Sequence, residues 1–411
     1  MKRFKSKLSL SNPLTTLALG VALLVAVGGL YMLRGSGDAS AQRFFQIRTL
    51  PVEDIVVDET SGSNDSEQLE PDDEGESMTV PDNSTDDTDG EEETEEESSF
   101  AQANISYWIY PGNPACNTRA ELESIEQVFQ LKPEFATINS AGDTIILTEA
   151  DAGCNALSRN NIDYYNSKST EQFVTISGSG EGFKNLVNSP TKRAQSVQLL
   201  TDLMAQVEMT GIELDFEGYS GWTAADYQGY KVYLQELGAS LQSGGYKLMI
   251  DAPAIYNDGI QSVFEFRYSD FENLPVDYIT VMAYDYQYDY GGASPVTEDQ
   301  FLLDSIARIK EELPSWQEKL WVGLPTYGYT AQEGAYRITI LTRDQVFDRL
   351  SQAQIDQATR IPNSMELIYK DGSQVYVWQD DISVQHKIDL VQGEGIDNIA
   401  IWHLGGNPLV D

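Results

Sequence analysis

Gly211-Ile212-Glu213-Leu214-Asp215-Phe216-Glu217-Gly218 is the stretch whose reading decides the fold. Ile212, Leu214 and Phe216 alternate with Glu213, Asp215 and Glu217. In an extended strand alternate residues share a face, so three carboxylates point one way and three apolar side chains the other. A half-exposed antiparallel strand would read the same way, but the neighbouring sequence belongs to a parallel sheet. From about Ala101 to the end, short apolar runs alternate with helical patterns, the signature of repeated βα units. Candidate strands are Ile105–Tyr110, Phe135–Asn139, Phe173–Ser177, Gly211–Asp215, Lys247–Ala252, Tyr278–Ala283, Leu320–Leu324 and Asn398–Trp402. The fold class expected is α/β, a (β/α)8 TIM barrel over residues 101–411, which is ample for the roughly 250 residues such a barrel needs.

Parallel strands are normally covered on both faces. The apolar side of 211–218 therefore packs on helices and its acids line the barrel interior, which is costly unless they share protons or find partners. Residues two apart on a strand are about 6.5–7 Å apart. Like charges at that range push at least one carboxyl pKa upward, and a carboxylic acid kept protonated near neutrality is a general acid. Glu217 sits last, at the strand end where barrel enzymes place their chemistry, and is the candidate acid. Asp215 is its partner, ionised or sharing the proton.

The flanking helices have legible ends. Ser189 and Pro190 make an N-cap and first-turn pair, followed by Ala194, Val197, Leu200, Met204 and Val207 at helical spacing. Thr223 with Asp226 resembles a capping box. Tyr227, Tyr230, Leu234, Leu237 and Leu241 form the apolar face of that second helix, which Gly244 and Gly245 end. Residues 330–381 are poorly patterned, except that Met365–Trp378, with Asp371-Gly372 at its centre, reads as a β-hairpin.

The chain has 411 residues and a formal net charge of -39. That balance excludes nucleic acid as a partner, since phosphates need a basic footprint. Residues 53–98 hold 21 acidic residues and no Lys or Arg, so 34–100 reads as a disordered acidic linker, extended by self-repulsion. Lys2, Arg3, Lys5 and Lys7 form a basic cytoplasmic segment, 1–13, ahead of an uncharged run from Leu14 to Leu33. Twenty residues at 1.5 Å each span a bilayer core of about 30 Å, so 14–33 is expected to be a signal-anchor with the bulk of the chain outside the cytoplasm. The alternative is secretion after cleavage near Ala41, where Ala39-Ser40-Ala41 resembles a signal peptidase site. The two cysteines, Cys116 and Cys154, are expected to form one disulfide in an exported chain. Two cysteines and the two histidines, His386 and His403, give no metal-ligand spacing.

The acidic strand resembles the D-x-x-D-x-D-x-E motif of glycoside hydrolase family 18, with Thr210, Glu213, Asp215 and Glu217 at the four positions. The last two match; the first two depart, Thr for Asp and Glu for Asp. Val174-Thr175-Ile176-Ser177-Gly178 resembles the family's S-x-G-G strand imperfectly. Val281-Met282-Ala283-Tyr284-Asp285-Tyr286 resembles its M-x-Y-D strand, and Gly323-Leu324-Pro325-Thr326-Tyr327-Gly328 its G-x-P-x-Y-G segment. Ile401-Trp402 stands where the family closes its last strand with Trp. Tyr286-Gln287-Tyr288, Gly291-Gly292, Ser294-Pro295-Val296 and Trp402-His403-Leu404-Gly405-Gly406 look closer to its spore-cortex and cell-wall branch.

The resemblance implies substrate-assisted, retaining hydrolysis of a β-1,4-linked polysaccharide containing N-acetylglucosamine, peptidoglycan or chitin-like, with no cofactor or metal. It implies Glu217 as acid and then base, Asp215 orienting the substrate acetamide, and Tyr284 hydrogen-bonded to the acetamide carbonyl. Asp285, Met282 and Glu213 would line the same subsite, and Trp402 would lie under the sugar ring. Trp108 and Trp222 read as core or rim packing rather than outer sugar platforms. The competing reading is a membrane-anchored sugar-binding protein of the same fold with little or no turnover.

Overall fold

A computed structural model describes residues 103–110, 118–125, 128–147 and 159–410. The expected signal-anchor 14–33, the linker 34–100 and both cysteines lie outside these. Among the described residues no helix is long and apolar enough to cross a membrane.

Eight parallel strands close into a barrel. They are β1 (Asn104–Ile109), β2 (Val128–Pro133), β3 (Ser169–Gly178), β4 (Gly211–Phe216), β5 (Lys247–Pro253), β6 (Tyr278–Met282), β7 (Leu320–Pro325) and β8 (Asn398–Leu404). Each pairs with the next, and β8 pairs with β1 to close the ring. One expectation needs correcting. The second barrel strand is Val128–Pro133, not Phe135–Asn139. Ala136–Ile138 is a strand, but it forms an antiparallel hairpin with Ile145–Leu147 and pairs only with the end of β3. The reason is chemical: β2 carries Gln130 and Lys132 on buried positions, which break the apolar run that marks a barrel strand in sequence.

Outside the barrel, helix α1 (Pro190–Val207) is capped by Ser189, whose hydroxyl accepts from the Lys192 amide at 3.4 Å. Its expected apolar stripe is only half right. Ala194 is exposed and Val197 half-buried; the buried face runs through Arg193 and Ser196 instead. Those two meet helix α2 (Ala224–Ser243). Arg193 forms two hydrogen bonds with Glu236, at 2.9 and 3.3 Å, and Ser196 bonds Tyr233 at 2.7 Å. Helix α2 carries the expected capping box between Thr223 and Asp226 and buries Tyr227, Tyr230, Leu234, Leu237 and Leu241 as read. Phe216, on the outer face of β4, packs on Tyr230 and Tyr233 of this helix.

Between β7 and β8 the poorly patterned segment folds as a second, five-stranded antiparallel sheet. Leu367–Asp371 and Gln374–Trp378 are the expected hairpin, turning at Gly372. The sheet braces the loop after β6. Tyr329 donates to the Ser294 carbonyl at 2.6 Å, and Glu366 accepts from the Val296 and Thr297 amides at 2.7 and 2.9 Å.

Candidate active site

Strand β4 places its side chains as the alternation requires. Ile212, Leu214 and Phe216 are buried against the helical layer, and Glu213, Asp215 and Glu217 climb the interior toward the C-terminal mouth. The Glu217 amide still donates to the Gly178 carbonyl at 3.0 Å, so the acid, one residue past the strand, is held to the sheet. Gly218, at φ 85°, then turns the chain out of the barrel. Asp215 and Glu217 are both half-buried and line one cleft of about 310 Å³. Its other wall is polar, from Thr137, Ser177, Ser179 and Glu181.

Glu213 lies lower and is fully buried. Its carboxylate accepts from Lys132 at 2.7 Å, from the Trp108 indole N–H at 2.8 Å and from the Thr175 hydroxyl at 2.5 Å. The Lys132 ammonium also lies 3.1 Å from the centre of the Trp108 ring. Glu213 was expected to line the sugar subsite; the geometry surrounds it instead with side chains from β1, β2 and β3, beneath the cleft. Trp108 belongs to this interior layer, and Trp222 stacks on Phe183 at 4.2 Å, so both are packing residues.

Sequence reasoning missed Lys132 and Asp251. Asp251 on β5 is 2% exposed, and its carboxyl is pushed well above the usual range by burial and by the neighbouring charge of Glu213. The only available signal was a charged residue inside each of two apolar runs, Leu131-Lys132-Pro133 and Ile250-Asp251-Ala252.

Across the mouth stands an aromatic group. Tyr284 and Trp402 stack at 6.3 Å, and Tyr327 meets Trp402 edge-on at 5.0 Å. Met282 packs against the same cluster. Gly323 makes room for Tyr284, since a Cβ there would lie 3.1 Å from Cε1 of that ring. The half-buried Trp402 donates its indole N–H to Glu134 at 3.0 Å, which fixes the ring plane at the lip. Asp285 has φ 74°, uncommon outside glycine, and accepts hydrogen bonds from the Tyr327 hydroxyl and, at 3.2 Å, from the Gln287 amide. Tyr327 is thus a support for Asp285. The cleft unites Asp215 with Glu217, and Tyr284, Met282, Asp285 and Trp402 gather at the ends of β6 and β8, with Tyr327 after β7 between them.

Next to Trp402, burial lowers His403 from 6.5 to about 4. A depressed folded-state value stabilises the fold above the unfolded value and loses that stability as pH falls through the folded one. Between pH 7 and pH 4 the protein is expected to lose about 3 kcal/mol through this group. Urea midpoints at the two pH values should therefore converge in H403Q relative to the parent; an equal pH dependence would refute the assignment.

The geometry agrees with what the sequence is similar to. YdhD of Bacillus subtilis (strain 168), named as a sporulation-specific glycosylase, is 29% identical over 230 residues. The match covers 53% of this chain and 52% of that protein, so the chain spans about half the length of the curated relative it matches. Among solved structures, a chitinase from Chromobacterium violaceum superposes with a TM-score of 0.61 at 18% identity, covering 74% of this chain and 95% of that one. The Bacillus cereus spore cortex-lytic enzyme SleL superposes at 0.60 and 16% identity, covering 74% and 72%. At those identities the structures speak for the barrel alone. Residues 107–407 match the family described as glycosyl hydrolases family 18, and the chain, with its β4 carboxylates at the barrel mouth, belongs to that family.

Proposed function

We propose that the chain hydrolyses a β-1,4-linked polysaccharide containing N-acetylglucosamine, with net retention of configuration and with the substrate's own acetamide as nucleophile. The observation that carries this reading is the placement of Asp215 and Glu217, two residues apart on β4, in one cleft at the C-terminal mouth of the barrel. Glu217 protonates the leaving oxygen, which departs with the bonding electron pair as the acetamide oxygen closes on the anomeric carbon. The resulting oxazolinium is positive, and Asp215 orients the acetamide N–H and balances that charge. Water, deprotonated by Glu217, then bonds to the anomeric carbon from the side the leaving group vacated, and the bond to the acetamide oxygen breaks with its electron pair. Tyr284 holds the acetamide carbonyl. Trp402, its edge fixed by Glu134, lies under the sugar, where an aromatic face gives large apolar contact. Asp285 and Met282 border that subsite.

The chitinase and the cortex-lytic enzyme among the structural neighbours support chitin-like and peptidoglycan polymers as the substrates to test. The apolar run 14–33 and the acidic segment after it support a domain tethered outside the cytoplasm. The test is product stereochemistry. Proton NMR of fresh chitooligosaccharide hydrolysate should show the β-anomer first and mutarotation afterwards, and parallel assays on purified peptidoglycan should rank the two polymers. An initial α-anomer would exclude retention, and no turnover of either polymer would exclude the activity.

A further inference from the structure

The barrel interior holds more carboxylates than its cations can balance. Among the described residues, Lys247 at the bottom of the barrel is taken by Glu171, and above it Glu213, Asp215 and Asp251 share one ammonium, Lys132. In the β4–β5 register Glu213 faces Met249 and Leu214 faces Ile250, so one step on, Asp251 lies beside Asp215 on the adjacent strand, about 4.8 Å away across the sheet. Carboxyl groups on neighbouring positions of adjacent strands in a poorly solvated layer cannot all ionise. Glu213 is the satisfied anion, with Lys132 and two further donors on it. Asp215 is half-buried at the cleft. Asp251 is 2% exposed, and its Oδ1 has no hydrogen-bond partner among the described residues.

We propose that Asp251 is a positioning residue for the hydrolysis: held as a carboxylic acid, it donates its proton toward Glu213 and presents an uncharged neighbour to Asp215, which is thereby left as the ionised group of the mouth. This rests on the reaction proposed above. Its surroundings agree. Burial first, then the neighbouring charges of Glu213 and Asp215, push the Asp251 carboxyl upward, against the single opposing charge of Lys132. The other titratable groups facing it are Tyr219, whose hydroxyl donates to the Asp251 carbonyl at 3.0 Å, and Tyr230 of α2. Burial pushes both phenols up, so they stay neutral. On β6 its register partner is the uncharged Thr280.

D251N and D251L in the full chain test this. The infrared difference spectrum of parent minus D251N at neutral pH is expected to show a protonated carboxyl stretch; a carboxylate band in its place overturns the proposal. On chitooligosaccharides D251N, a neutral donor of similar shape, should keep kcat within about threefold and leave both limbs of the pH profile in place. D251L should lower kcat by up to about 100-fold, the scale of a small misplacement, with KM within about twofold. Limbs moved acidward by about one pH unit or more in D251N would mean that a charge had been removed beside Asp215, and normal kcat in D251L would mean no positioning role; either overturns the proposal. If D251L does not fold, the D251N spectrum and profile decide. If the parent turns over neither polymer, the proposed reaction fails, while the infrared band still decides the state of Asp251.

Discussion

Glu217→Gln is expected to lower kcat on chitooligosaccharides by about 10²–10⁴-fold, the contribution of one positioned general acid, with KM changed far less. Gln keeps the shape of the side chain, and the backbone N–H of residue 217 still donates its hydrogen bond to the Gly178 carbonyl. It cannot deliver a proton to the leaving oxygen or take one from water. Because the proposed mechanism uses the same residue in both steps, neither half of that reaction escapes the substitution. Steady-state rates on the purified full chain, with circular dichroism to verify the fold, make the measurement. A kcat within tenfold of the parent would remove Glu217 from the chemistry and with it the proposed mechanism. Polymer binding retained without turnover in the parent itself would instead favour the sugar-binding alternative.

Strand β4 was legible because its code is local. Six alternating residues, Ile212 to Glu217, specify a strand, its two faces and the end at which the acid stands. The caps at Ser189 and Thr223 and the hairpin at Gly372 are local in the same sense. What escaped reading is held by contacts between distant segments. Lys132 and Glu213 are 81 positions apart, and Trp108 and Glu213 are 105 apart. A lysine in a short apolar run looks like a surface residue, so Val128–Pro133 was passed over and the more apolar Phe135–Asn139 preferred. Arg193 and Ser196 misled in the same way on α1: they are polar yet buried, because Glu236 and Tyr233 on the next helix satisfy them. Asp251 shows locally only as a charge inside an apolar run, since its meaning comes from the register that sets β5 beside β4.

Breaking the Lys132–Glu213 pair is the largest stability change expected. Both side chains are fully buried and 2.7 Å apart. K132M removes the cation and leaves a carboxylate in a water-free layer, for which about 3–5 kcal/mol of destabilisation is expected. The loss comes from the stranded charge more than from the missing attraction, because the isolated pair has itself been desolvated. Adding E213Q to K132M therefore should recover at least about 2 kcal/mol: Gln carries no charge, and its amide oxygen can still accept from Trp108 and Thr175. E213Q alone removes the carboxylate that holds the ammonium, which keeps the Trp108 ring, the Met249 sulfur at 4.0 Å and the carboxyl of Asp251 nearby, so it should cost less than K132M. Chemical denaturation of the parent, the two single variants and the double variant closes the cycle. Additive losses would show that the two residues act independently, and the charge balance assigned to the barrel interior would then be wrong. A coupling of about 2 kcal/mol or more would show that Lys132 and Glu213 stabilise the barrel interior as a pair, the cation on β2 answering the carboxylate on β4.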